Sequence, residues 1–161
     1  MAPYYAIVLK IDAALAGQVE RASLRAAARA ALEQQQALGP GALSLMITDD
    51  AALRRLNREF LGIDRPTDVL SFPSAETDPE SGVTYYGDIA ISLPRARAQA
   101  RAAKHALLAE MQLLVVHGVL HLLGHDHARA REQAKMWRAQ AAILAALAQR
   151  PARRSRRPRA G

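Results

Sequence analysis

Eleven residues, HGVLHLLGHDH at positions 117–127, constrain this 161-residue chain more than any other stretch. They hold four of its five histidines, His117, His121, His125 and His127, with His105 just upstream. On a helix His117 and His121 lie about 40° apart around the axis and about 6 Å apart along it, so two imidazoles can reach one metal ion. On the same unbroken helix His127 would stand roughly 240° further round and about 9 Å further along, out of reach of that ion. Gly124 removes the difficulty, because glycine is the usual residue where a helix ends in a left-handed turn. The chain can then fold back and bring His127 to the same place. Three neutral imidazoles with one open position form the pattern of a catalytic zinc site rather than a closed structural one. One zinc ion is expected, with nickel as the alternative, since imidazole suits both.

A lone histidine on an apolar helix is usually a hydrogen-bonded core residue. Three at this spacing, followed by a glycine break, are read as ligands. His125 is read as turn surface or as facing substrate. Asp126 is read as orienting a ligand imidazole or moving a proton, with a plain turn residue as the other reading. Glu110, two turns before His117 on the same face, is read either as support for a ligand or as a buried acid in a salt bridge.

The spacing resembles that of the metzincin peptidases, H-E-x-x-H-x-x-G-x-x-H. One difference is chemical. Where the peptidase motif has the glutamate that serves as general base, this chain has Gly118. Glycine cannot accept a proton. No Met-turn follows either, since Met136 falls in a stretch of helical pattern.

The chain length suits one domain with a real core. There is no cysteine, so disulfides and thiolate metal sites are excluded, and a cytoplasmic protein is expected. The opening MAPYYAIVLKID has no basic stretch leading into a long apolar run, so no secretory signal is expected. The longest apolar run, 106–123, is interrupted by Glu110, Gln112, His117 and His121. It reads as a buried helix, not a membrane span. The net charge is +7, but the last twelve residues, RPARRSRRPRAG, hold six arginines and no acid. Residues 1–149 are therefore nearly neutral and are read as the single domain. Residues 150–161 are read as a disordered tail, either attaching electrostatically to nucleic acid or dispensable.

Taken in order, residues 4–11 read as a strand and 16–36 as a helix with Leu24, Ala28, Ala31 and Leu32 on its apolar face. Residues 42–47 read as a second strand. A capped helix follows to about Phe60, with Leu53, Leu56 and Phe60 on one face. Residues 61–67 form a loop, 68–72 a third strand ended by Pro73, and 74–84 a polar loop. Residues 86–92 form a fourth strand, antiparallel to the third. A helix then carries Arg95, Arg97, Arg101 and Lys104, with Pro94 in its first turn. The apolar helix 106–123, the turn 124–127 and an amphipathic helix 128–149 complete the chain. Trp137, Ile143, Leu144 and Leu147 are expected in the core. This order suggests an α+β domain: a small mixed sheet packed with helices around one buried central helix that carries the metal motif.

Three blocks, HGVLHLLGHDH, PTDVLSFP and GDIAIS, resemble in order and separation those of the YbeY family of bacterial ribosomal-RNA maturation factors. The resemblance spans residues 4–147. It implies a four-stranded mixed sheet and a zinc-dependent endoribonuclease acting on single-stranded RNA. The work implied is maturation of the 3′ end of small-subunit ribosomal RNA and ribosome quality control, with the small subunit or one of its proteins as a further partner. His117, His121 and His127 match the family's metal ligands. Many members carry an arginine just before the glycine of the loop ahead of PTDVLSFP, and here that position is Leu61. Arg65, four residues on, is the candidate to replace it, with an exposed loop charge as the plainer reading. The basic helix and tail would bind RNA backbone in a salt-dependent way. Aromatic residues are few, so extensive base stacking is not expected. The competing functions are a metzincin-like zinc peptidase and a non-catalytic ribosome-assembly factor.

Overall fold

The computed structural model describes residues 3–149; the arginine-rich run 150–161 lies outside the described residues. Four strands form one sheet: β1 (Tyr5–Ile11), β2 (Gly41–Thr48), β3 (Val69–Thr77) and β4 (Thr84–Ser92), in the order β1-β2-β4-β3. Five α-helices surround it: α1 (Arg21–Gln34), α2 (Asp50–Leu61), α3 (Leu93–Ala103), α4 (Leu107–Leu122) and α5 (Ala130–Ala148). β1 runs parallel to β2 and β2 parallel to β4, while β3 returns antiparallel to β4, so the sheet is mixed. The parallel pairs follow from the crossovers between them, which need a helix-length connection. The antiparallel pair needs only the short loop between β3 and β4.

Alternation sorts the strands onto two faces. Tyr5, Ile7, Leu43, Leu45, Ile47, Ile89 and Ile91 point into the main core with α1, α4 and α5. Leu70 and Ala90 point the other way and meet Leu53 of α2, with Met46, Leu56 and Phe72 beside them. α4 is apolar nearly all round, as a helix enclosed by neighbours must be. Met111, Leu114, Val115, Val116, Val119 and Leu120 are all buried. Gly118 is what lets α4 lie close to the sheet. A Cβ there would come within 2.8 Å of the Ile89 side chain. The exposed edge of β1 is blunted from α1, where Arg25 and Arg29 donate to the carbonyls of Ile7 and Tyr5. Side-chain donors there discourage edge pairing.

Several expectations need correction. The first helix does not begin at residue 16. A separate 3-10 segment, Ala13–Gln18, precedes α1. β3 does not stop at Pro73 but continues to Thr77, with Pro73 opposite Gly87 and an irregularity before Glu76. Proline is tolerated because β3 is an edge strand and needs no ladder donor on its free side. Phe60 does lie on the same side of α2 as Leu56, but it is exposed, with its ring edge-on to Phe72 at 5.4 Å between centres. Trp137 is 55% exposed and not part of the core. Met136 and Ile143 are the fully buried residues of α5. No single described helix is long and apolar enough to cross a membrane.

Candidate metal centre

The end of α4 decides where the histidines go. Leu123 closes the helix and Gly124 follows with φ +92°, in the left-handed region. Gly124 N–H then donates to the His121 carbonyl and His125 N–H to the Leu120 carbonyl, both at 3.0 Å. These two bonds satisfy carbonyls that the helix end would leave unpaired and define a Schellman turn. The backbone reverses, and His127 comes back over the last turn of α4.

The three rings converge. One nitrogen from each of His117, His121 and His127 lies within 4.8 Å of the others. The Nε2 atoms of His117 and His121 are 3.1 Å apart. Two imidazole nitrogens bound to one tetrahedral zinc ion stand about 3.3 Å apart, given bonds of about 2.0–2.1 Å. The ring centres of His127 are 6.0 Å from His117 and 5.2 Å from His121. His117 and His121 are half-buried and His127 is exposed, so the cluster opens on the His127 side. The donor set fits zinc or nickel: three nitrogen ligands and no carboxylate among them.

Gln140 on α5, not anticipated from the sequence, sets the direction of the first ring. His117 Nδ1–H donates to Gln140 Oε1 at 3.2 Å. An amide oxygen can only accept, so Nδ1 carries the proton and Nε2 presents its lone pair to the cluster. Burial holds the His117 pKa below its ordinary value, against the opposing pull of Gln140 and the Asp68 charge. Burial, then the neighbouring His117 and His127 rings, hold His121 below it too. Both rings are therefore neutral at pH 7, the form a metal ligand needs. Asp68 is itself fixed, accepting from Val69 N–H and from Gln99 Nε2. Nearby, Ser71 of β3 donates to the Gly118 carbonyl at 3.3 Å, joining the edge strand to α4.

The other candidates take distinct places. Asp126 is exposed, and its Oδ1 accepts from the backbone N–H groups of His127 and Ala128, at 2.7 and 3.2 Å. It shapes the turn that carries His127. His125 is tied into the turn: its Nε2–H donates to Gln35 Oε1 at 2.7 Å, joining the turn to the end of α1. Glu110 belongs to a pair away from the cluster, accepting from His105 Nε2–H at 2.6 Å at the start of α4. Arg65 is exposed on the loop after α2. Its guanidinium makes no hydrogen bond or ion pair with another described residue, while its carbonyl accepts from the buried Asn57. Of the basic groups on and after α3, Arg95 is bound to Asp50 and Arg97 to Gln18, leaving Arg101 and Lys104 exposed.

Gly118 also bears on the peptidase comparison. Its α-carbon faces Ile89 of β4, not the three imidazoles. A glutamate at this position would be driven into the core.

Comparison with known proteins agrees with this arrangement. The model of the Endoribonuclease YbeY family matches residues 10–148. A protein of Roseiflexus castenholzii named Endoribonuclease YbeY is 47% identical over 152 residues, covering 90% of this chain and 88% of the relative. One of the same name from Roseiflexus sp. strain RS-1 is 44% identical over 138 residues, covering 82% and 86%. The solution structure of TM1509 from Thermotoga maritima superposes with a TM-score of 0.57 at 26% identity, covering 89% of this chain and 88% of that one. With a family match over most of its length and relatives of this similarity along nearly the whole of both chains, the chain belongs to the YbeY endoribonuclease family.

Proposed function

We propose that this protein is a zinc-dependent endoribonuclease that cleaves single-stranded ribosomal RNA in the cytoplasm, in maturation of the small-subunit 3′ end and in ribosome quality control. The observation that carries the reading is the convergence of three imidazoles on a cluster open at His127. In this reading His117, His121 and His127 hold the ion. Zinc bound there would supply a Lewis acid and bring the pKa of a bound water to about 7. Gln140 keeps His117 in the ligating tautomer. Asp126 holds His127 in place through the backbone, and its Oδ2, unpartnered among the described residues, is the atom we assign to proton movement. Arg65, unpaired on the loop that leads into β3, is the cation we assign to the phosphoryl oxygens.

The metzincin reading is not favoured, because position 118 cannot supply a base to this cluster. The test compares purified wild type with His121→Ala, at equal metal loading, on single-stranded RNA and on casein. RNA cleavage by the wild type that His121→Ala and metal removal both abolish is the expected result. Cleavage that survives either change would exclude the mechanism. Casein hydrolysis alone would indicate a peptidase, and RNA binding with neither activity an assembly factor. The variant also controls for contaminating ribonuclease.

A further inference from the structure

We infer that Trp137 is a stacking platform for one nucleobase of the single-stranded substrate, on the α5 wall of the histidine cluster. The inference rests on the endoribonuclease reading. Trp137 and Gln140 are three residues apart on α5, so their β-carbons lie about 5–6 Å from one another. Gln140 Oε1 is 3.2 Å from His117 Nδ1.

The helical order fixes the side. Met136 and Ile143 mark the line of α5 that faces the core. Gln140 lies about 40° round from Met136, and Trp137 about 60° further in the same sense. Going round α5, one therefore passes from core to the His117 contact and then to Trp137 at the solvent edge. Side chains on a helix lean toward its N-terminus, and α5 begins three residues after His127. The indole therefore leans toward the end of α5 that follows His127.

An isolated exposed apolar residue needs no explanation in general. This one is the chain's single tryptophan. It is 55% exposed, and its indole makes no hydrogen bond or aromatic ring contact with another described residue. It also stands one helical turn from the residue that holds His117. A phosphodiester placed at the three imidazoles carries a base on each side of it, one sugar away. A flat, unpaired base is the ligand an indole face suits, and such stacking tolerates any base. One platform adds affinity and position without reading sequence.

The test uses the full-length chain in chelator, which prevents cleavage. The probes are a labelled single-stranded oligouridylate of about ten nucleotides and an abasic spacer carrying the same phosphates. Because Trp137 is the only tryptophan, its emission reports the contact directly. Quenching by the oligouridylate but not by the spacer is expected. Trp137→Ala should raise Kd by roughly 5- to 100-fold, and Trp137→Phe should stay within about 3-fold of wild type. Equal quenching by the spacer, or an unchanged Kd for Trp137→Ala, would overturn the inference. If the metal-loaded wild type still cleaves RNA in a His121-dependent way, only this inference falls. If the wild type neither binds nor cleaves RNA, the functional reading falls and takes the inference with it.

Discussion

Replacing Gln140 by leucine should weaken metal binding while leaving all three proposed ligands in place. In the wild type Gln140 Oε1 accepts from His117 Nδ1–H at 3.2 Å. Leucine keeps similar bulk but no acceptor, so His117 is free to take the other tautomer, with its proton on Nε2. That form cannot ligate through the atom that faces the cluster. Losing such an outer partner typically costs 10- to 100-fold in metal affinity. The bond here is at the long end of the range for N–H···O and the acceptor is a neutral amide. The lower end is therefore expected, about 10-fold, or about 1.4 kcal/mol. Gln140→Glu should act oppositely, because a carboxylate accepts more strongly from the same N–H and makes the imidazole a better donor to metal. The assay is competition for zinc against a chromophoric chelator at pH 7.5, with wild type, Gln140→Leu and Gln140→Glu side by side. Histidine nitrogen–proton correlations on the metal-free chain supply a readout independent of metal. His117 should be in the Nδ1–H form in the wild type and a mixture in Gln140→Leu. Affinities within twofold across all three proteins would refute the positioning argument.

Three further outcomes follow from the same geometry. Gly124→Ala should cost about 1–2 kcal/mol in urea unfolding, from backbone strain alone, since φ is +92° and nothing lies within 4 Å of an added Cβ; Gly124→Asn should recover part of it. Gly118→Glu should destabilise by more than about 3 kcal/mol, because the side chain meets Ile89 at 2.8 Å and buries a carboxylate; a stable variant with casein hydrolysis would contradict this. Acidification should weaken the metal-free fold: His117 and His121 have folded pKa values below the ordinary 6.5, so as pH falls through 6.5 the unfolded chain takes up protons that the folded chain does not, and stability drops until the folded pKa is passed. The urea midpoint of the wild type should therefore fall more between pH 7.5 and pH 5.5 than that of His121→Ala.

What could be read from the sequence was what local spacing encodes. His117 and His121 share a helix face by arithmetic, and Gly124 announces its own turn. The four strands, the antiparallel pairing of the third and fourth, and the burial of α4 all follow from pattern over short windows. The misreadings have one physical origin: local pattern says nothing about which partner is absent. Pro73 ends a central strand but not an edge strand, and edge status depends on the order of all four strands. Trp137 looks like core by hydropathy, yet Met136 and Ile143 already occupy the core-facing line of α5. Gln140 is 23 residues from His117, and no periodicity connects them. The one signal for it was positional: a polar residue four after Met136 and three before Ile143, near the core line, must find a hydrogen-bond partner inside.

The same contacts explain why a short motif with a glycine in its second position can stay in register. Gln140 holds His117 from α5, Gln35 holds His125 from α1, and Ser71 holds the Gly118 carbonyl from β3. Each comes from a different element, and none belongs to the motif. Gly118 permits this by removing the side chain that would push α4 off Ile89. Closer approach of helix to sheet brings the edge strand, with Ser71 and the fixed carboxylate of Asp68, up to the first imidazole. In the peptidase pattern the second position provides chemistry. In this fold it provides distance, and a proton acceptor must come from outside the helix. Asp126, on the turn beside His127, is the residue we propose for that role, which no residue of α4 between the two histidines can fill.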